Sequence, residues 1–216
     1  MKKIFFFSTI ILLLSFTASA QIKKGAIFLG GLVSVYHSNI DYDSPQPDQK
    51  LSSASFNISA GVALKENAVA GLYVTYGHGK FDNNYNGGGY SNTKLNRYNA
   101  GAFFRRYKKL VKDFYFFGEL GAGYFGSNQT DVNFPGNNEI NYTESGAELY
   151  LSPGISYRVF KKLHVELAIP QIAGLQYGVT KMTSQVRNSK QDQFQFNTNL
   201  NSSFLNNLAL GFRFIL

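Results

Sequence analysis

The last nine residues of the chain, "LALGFRFIL" (208–216), decide how the rest is read. Leu208, Leu210, Phe212, Phe214 and Leu216 fall on every second position, with Asn207, Ala209, Gly211 and Arg213 on the alternate ones. A period of two marks a β-strand with one apolar face, because successive side chains of a strand point to opposite sides. Terminal residues fray unless something docks them. An apolar face at the end of a chain whose mean hydropathy is −0.16 therefore calls for a partner strand and an apolar surrounding.

The same alternation runs through the chain. In "SFNISAGVAL" (55–64), Phe56, Ile58, Ala60, Val62 and Leu64 share a face. In "RYNAGAFFRRY" (97–107), Tyr98, Ala100, Ala102 and Phe104 oppose Arg97, Asn99, Gly101, Phe103 and Arg105. "FYFFGELGAGY" (114–124) sets Phe114, Phe116, Leu120, Ala122 and Tyr124 against a face on which Glu119 lies between Phe117 and two glycines. In "ESGAELYLSPGISYR" (144–158), Ala147, Leu149, Leu151, Pro153, Ile155 and Tyr157 oppose Glu144, Glu148, Ser152, Ser156 and Arg158. "LHVELAI" (163–169) sets Leu163, Val165, Leu167 and Ile169 against His164 and Glu166. With "GAIFLGGLVSVY" (25–36) and "AVAGLYVTYG" (68–77), the expected total is eight strands.

The connections alternate in length. "KENA" (65–68), "KKLVKD" (108–113) and "VFKK" (159–162) are short. Residues 38–52, 78–94, 127–143 and 178–198 read as long loops rich in Asn, Gly, Ser and Asp, as in "GKFDNNYNGGGYSN" (79–92). Within the last of these, "QFQFN" (193–197) keeps the polar–aromatic alternation and predicts that strands seven and eight project as a ribbon.

The opening "MKKIFFFSTIILLLSFTASA" (1–20) has a basic start, an apolar run from Ile4 to about Phe16, and small residues before Gln21. These are the parts of a Sec signal peptide, and the run is too short for a transmembrane helix. The competing reading, a buried N-terminal helix, does not account for the basic start or the A-x-A site. The expected mature chain is residues 21–216, a single domain, and the absence of cysteine at the processing site argues against a lipoprotein anchor. With no cysteine anywhere, disulfides cannot hold an exported chain of this size, so core or ladder must. Without Lys2 and Lys3 the formal charge of +8 becomes +6, an excess set in turns and along strands. For an exported protein this suits anionic lipid or solvent, and nucleic acid is not expected as a partner.

Strands with one apolar and one charged face, short turns alternating with long loops, and export together define an all-β, eight-stranded antiparallel up-and-down transmembrane β-barrel. In a bilayer every backbone group must be paired, so strands span only as a closed sheet. Such barrels carry short periplasmic turns, longer external loops and aromatic girdles, which accounts for 14 Tyr and 20 Phe. An interior of eight strands is just wide enough for its own side chains. Arg97, Arg105, Glu119, Glu148, Glu166 and Arg213 would then form an interior charge network, with Glu144 and Arg158 inward or at the rims. Buried charges need partners of opposite sign. The alternative is a soluble barrel with an apolar lumen, which leaves the terminal run and the loop asymmetry unexplained.

"GAFFRRY" (101–107), "FYFFGELGAGY" (114–124), "LSPGISYRV" (151–159) and the terminal "LGFRF" resemble the outer-membrane protein beta-barrel domain family of small OmpA/OmpX-like barrels. The resemblance spans essentially the whole mature chain. It implies residence in the outer membrane of a Gram-negative-type bacterium, among outer-membrane lipid and lipopolysaccharide. It also implies a C-terminal signal, Phe212, Phe214 and Leu216, read by the barrel-assembly machinery. Leu216 stands where many such barrels end in an aromatic residue.

Other motifs carry less. "YHSNI" (36–40) carries His37, Ser38 and Asn39, and His and Ser are the residue types used by outer-membrane lipid A deacylases and phospholipases, whose spacing sets the two on one face. A nucleophile and its base must meet, however, and neighbours on a strand diverge. His78 is expected at a loop edge and His164 in the interior charge network, and no histidine pair has metal-ligand spacing. "GELGAGYFG" (118–126) continues a strand rather than opening a helix, so it is no phosphate loop. No enzyme activity, cofactor or metal is expected. The expected role is structural, or recognition of an extracellular ligand or protein through surface loops, including β-augmentation at strand edges. Two alternatives stand beside it: a narrow porin-like pore for small solutes, and a lipid A modifying hydrolase.

Overall fold

The computed structural model describes residues 22–41, 48–84, 89–134, 138–184, 188–198 and 208–216. The expected signal peptide and its cleavage site lie outside the described residues. Ten strands form a single antiparallel sheet: β1 (Ile27–Ile40), β2 (Asp48–Lys65), β3 (Ala68–Asn84), β4 (Tyr90–Val111), β5 (Phe114–Phe134), β6 (Asn138–Arg158), β7 (Leu163–Ala168), β8 (Ala173–Ser184), β9 (Asn188–Thr198) and β10 (Ala209–Ile215). Each of β1 to β6 pairs with the next, β7 pairs with β10, and β10 pairs with β1, so the sheet closes as a ring of eight.

Closure falls on the terminal run. Phe28 to Val33 of β1 pair with Ile215 back to Leu210, and Ile27 and Leu216 exchange two backbone hydrogen bonds of 2.9 Å. The terminal residues are docked by the first strand, and no edge is left there to solvent.

The ring holds eight strands but the described residues make ten, because the seventh is divided into β7 and β8 and the eighth into β9 and β10. β7 pairs with Gly154 to Arg158 of β6, and β8 continues the same wall against Ile140 to Leu151. Between them Pro170 has no N–H to give the ladder, and Gln171 takes a left-handed backbone with φ of 50°. β9 then pairs along the whole of β8.

The structure corrects the four long loops. Much of 48–52, 78–84, 90–94, 127–134, 138–143 and 178–198 is strand, so the ladders of β2 to β6, β8 and β9 run past the apolar belt as paired ribbons. These segments look loop-like because they lack an apolar face, but a ladder needs only paired backbone. Short polar side chains pair across it: Asn83 donates to Ser91 at 3.1 Å and Thr130 to Asn141 at 2.8 Å.

The outer face is apolar around the ring. Val33, Ile58, Leu72, Val74, Leu120, Leu149 and Leu210 are all exposed, as are Phe212, Phe214 and Leu216. Exposed aromatics flank them: Phe56, Tyr76, Tyr98, Tyr124 and Tyr177 towards the ribbons, and Phe104, Phe114, Phe116 and Tyr157 towards the short turns. An apolar belt between aromatic girdles is the surface of a transmembrane barrel. Among the described residues no helix is long and apolar enough to cross a membrane.

Candidate functional site

The chemistry-bearing side chains face the lumen, and they fall into two layers. The layer near the short turns is packed solid. Arg105 of β4 is 1% exposed and reaches Glu119 of the neighbouring β5 at 2.6–2.7 Å and Glu166 of β7 across the barrel at 2.7 Å. Arg213 of β10 is fully buried and meets the same Glu166 oxygen at 3.0 Å. Two guanidinium groups and two carboxylates thus balance in charge, as buried ions must.

Neutral groups complete the layer. The Tyr107 hydroxyl donates to Glu166 at 2.8 Å, the Tyr150 hydroxyl donates to Glu119 at 3.1 Å, and Arg213 donates to Ser59. Each guanidinium also lies over a ring, Arg105 at 4.3 Å from the Phe117 centroid and Arg213 at 4.9 Å from that of Phe28. Gly30 has no room for a side chain, since a Cβ there would run into the Phe212 carbonyl oxygen and sit 2.7 Å from the Arg213 side chain. Below, Ile22 is buried against an apolar cluster that includes Phe28, Val69, Tyr107 and Phe117. Asn67, in the β2–β3 turn, holds that segment by accepting from the Ile22 amide at 3.4 Å and donating its own amide to the Ile22 carbonyl at 3.1 Å.

The layer towards the ribbons is open. Arg97 of β4 pairs with Glu148 of β6 at 2.8 Å and lies 4.4 Å from the centroid of Phe125. Glu148 also accepts from Asn99, from Gln171 at 3.0 Å and from Gln176 at 3.0 Å. Two cavities of about 540 and 230 Å³ meet here, both lined by Arg97, Tyr150 and Gln171. Asn57, Thr75, Asn99 and Tyr73 line the smaller, and Gln176, Phe196 and Asn197 the larger. The result is a polar cup standing on a sealed floor.

The residues singled out from sequence are therefore split. Arg105, Glu119, Glu166 and Arg213 come together in the floor, whereas Arg97 and Glu148 form a separate pair in the cup. Glu144 and Arg158 join neither: Glu144 accepts from Ser127 at 3.4 Å, and Arg158 pairs with Asp113 in the β4–β5 turn. His164 is also outside the charged cluster; it is buried with its Nδ1 3.0 Å from the Ser156 hydroxyl and its ring 5.6 Å from that of Tyr115. His37 and Ser38 lie on β1 and face opposite sides, His37 outward and exposed, Ser38 inward. His78 is exposed and bonded to Asn96 at 2.8 Å. Among the described residues no cluster of His, Asp or Glu could hold a metal ion.

Sequence reading missed Tyr107, Tyr150, Ser59 and Gln171 as partners. The tyrosines do sit on the inward register of their strands, and Pro170 before Gln171 inside an apolar stretch marks a break; these signals were available.

No protein-family model and no curated protein matches the chain. Among solved structures, the outer membrane protein OprG from Pseudomonas aeruginosa is similar with a TM-score of 0.51 at 13% identity, over 92% of this chain and 99% of that one. Neisserial surface protein A gives 0.41 at 15% identity, over 89% and 97% of the two chains. Ail of Yersinia pestis gives 0.37 at 10% identity, over 90% and 99%. The fold so defined is a small antiparallel β-barrel closed as a ring of eight strands. What the chain shares with OprG is this fold.

Proposed function

We propose that the chain is exported by a cleaved signal peptide (1–20) and works as one domain, residues 21–216, in the outer membrane. There it is a non-conducting barrel with a structural or surface-recognition role rather than an enzyme. The single observation that carries this reading is the floor of the lumen: Arg105, Glu119, Glu166 and Arg213 meet across the barrel with almost no exposed surface. A buried, charge-balanced cluster with every member hydrogen-bonded does not open without large cost. Solute has no path through it at that level.

Function then resides above the floor, in the polar cup and in the paired ribbons that stand clear of the apolar belt. Recognition by ribbons and loops on a rigid scaffold is the usual division of labour in such folds. Partners in this reading are lipid and lipopolysaccharide around the barrel, the assembly machinery acting on Phe212, Phe214 and Leu216, and an extracellular ligand or protein at the ribbons. Planar-bilayer recording tests it. Refolded protein is expected to add no steady conductance, and channels of uniform size would overturn the sealed-floor reading in favour of a pore.

A further inference from the structure

The short-turn end of the barrel carries a charge the rest of the molecule does not. Lys65 ends β2 beside Glu66, and Lys108 and Lys109 lie at the end of β4, with Lys112 and Asp113 in the turn that follows. Arg158 ends β6, the β6–β7 turn holds Lys161 and Lys162, and Lys23 and Lys24 precede β1 at the same end. With Arg106 this makes ten cations against two carboxylates, and one of those, Asp113, is held by Arg158. The ribbon end is mixed: Lys50, Lys80 and Lys94 stand among Asp48, Asp82 and Asp131, with Lys80 bound to Asp82 at 2.8 Å.

These cations are interleaved with exposed apolar groups. Arg106 and Lys108 face outward on β4 directly after Phe104, and Lys108 is in register with the exposed Phe116 of β5. Leu110, Val111, Val159 and Phe160 are exposed in the turns themselves, Phe160 by 67%. A soluble acidic partner would need only the charge. Apolar side chains at the base of a transmembrane belt, ringed by long cationic ones, match a membrane interface, where the stems lie in acyl chains and the heads reach phosphate.

We propose that the short-turn rim is a binding surface for anionic phospholipid headgroups in the leaflet it faces. This rests on the reading above that the chain spans the outer membrane with that end towards the periplasm. Arg106 and Lys108 extend down from the belt to one headgroup layer, while the three turns and Lys23 and Lys24 contact it from its outer side. The ring thereby fixes the depth of the barrel and keeps anionic lipid around it.

Native mass spectrometry of the refolded protein in non-ionic detergent, offered equal phosphatidylglycerol and phosphatidylcholine, tests the surface. Wild type is expected to retain phosphatidylglycerol by about tenfold over phosphatidylcholine at low salt, since each surface cation adds a modest electrostatic increment. The five-fold variant K108Q/K109Q/K112Q/K161Q/K162Q should fall to near parity, its Lys→Arg counterpart should not, and K50Q/K94Q at the ribbon end should match wild type. Heat-modifiable gel mobility establishes that each variant is folded. Absence of a preference in wild type overturns the proposal. Its persistence in the five-fold variant does too, and would leave the cations to an acidic protein. A tag in the β4–β5 turn that proteases reach on intact cells would refute the orientation while leaving the lipid measurement standing.

Discussion

Glu166 and Glu148 are both buried carboxylates on the inner face of the barrel, yet they inhabit different surroundings. Glu166 is bonded to Arg105, Arg213 and Tyr107, all of them buried, and lines neither cavity. Glu148 lines the larger cavity, and the guanidinium it holds, Arg97, has 34% of its side chain exposed. The same strands therefore make a sealed floor and an open cup. What differs is what lies between the strands: aromatic rings and the Ile22 plug below, small polar side chains and open volume above. In the floor an ion pair is a structural fixture, because separating it strands charge in a low dielectric. In the cup, water can replace a lost partner.

The widest test removes the closure on which both halves depend. Deleting residues 212–216 takes away the pairing of β10 with β1 below Gly211, so no closed barrel should form and heat-modifiable mobility should vanish. A truncated chain that still inserts normally would show that closure does not rest on this strand.

Next comes the direct comparison. Glu166→Gln leaves Arg105 and Arg213 facing one carboxylate between them and should cost about 3–5 kcal/mol of stability. Glu148→Gln, in contact with the cup, should cost about 1 kcal/mol. Urea unfolding from lipid vesicles measures both, and equal losses would erase the distinction between floor and cup.

A finer probe uses the absence of cysteine from the chain. A single cysteine at Thr75 in the cup should react with a polar maleimide in the folded barrel, and one at Ser59 beside Arg213 should react only after unfolding. Rapid labelling at both positions would mean that water reaches the floor.

The smallest effect lies beyond the lumen, in the β3–β4 ribbon. Asp82 is drawn upward by burial, but hydrogen bonds from Lys80 and Asn92 and the charges of Lys80 and Lys50 outweigh this and hold its carboxyl below the usual range. A depressed carboxylate stabilises the ribbon above its ordinary titration range, and the contribution is lost as pH falls through the lowered value. NMR titration of Asp82 should show a low midpoint, returning to the ordinary range in the Lys80→Gln variant.

The alternation of apolar and polar residues was enough to assign faces. Phe104 outward and Arg105 inward, Leu120 outward and Glu119 inward, Phe212 outward and Arg213 inward are all fixed once a segment is strand, because the side-chain period of two leaves no other choice. Ribbons were harder to see, since beyond the membrane neither face is apolar and the alternation carries no contrast. The same holds for β8, whose Leu175, Tyr177 and Val179 alternate but follow the break at Pro170.

From sequence alone came the barrel, the direction of each face and the set of inward charges, all consequences of local periodicity. Which charges meet was decided only by closure. Arg105 and Glu166 are 61 residues apart and reach each other because the registers of the intervening strands bring β4 and β7 to the same height across the lumen. Register is a property of pairs of strands, and the height at which the lumen is sealed is a property of the whole ring. The split between a sealed floor and an open cup therefore appears only when the sheet has closed.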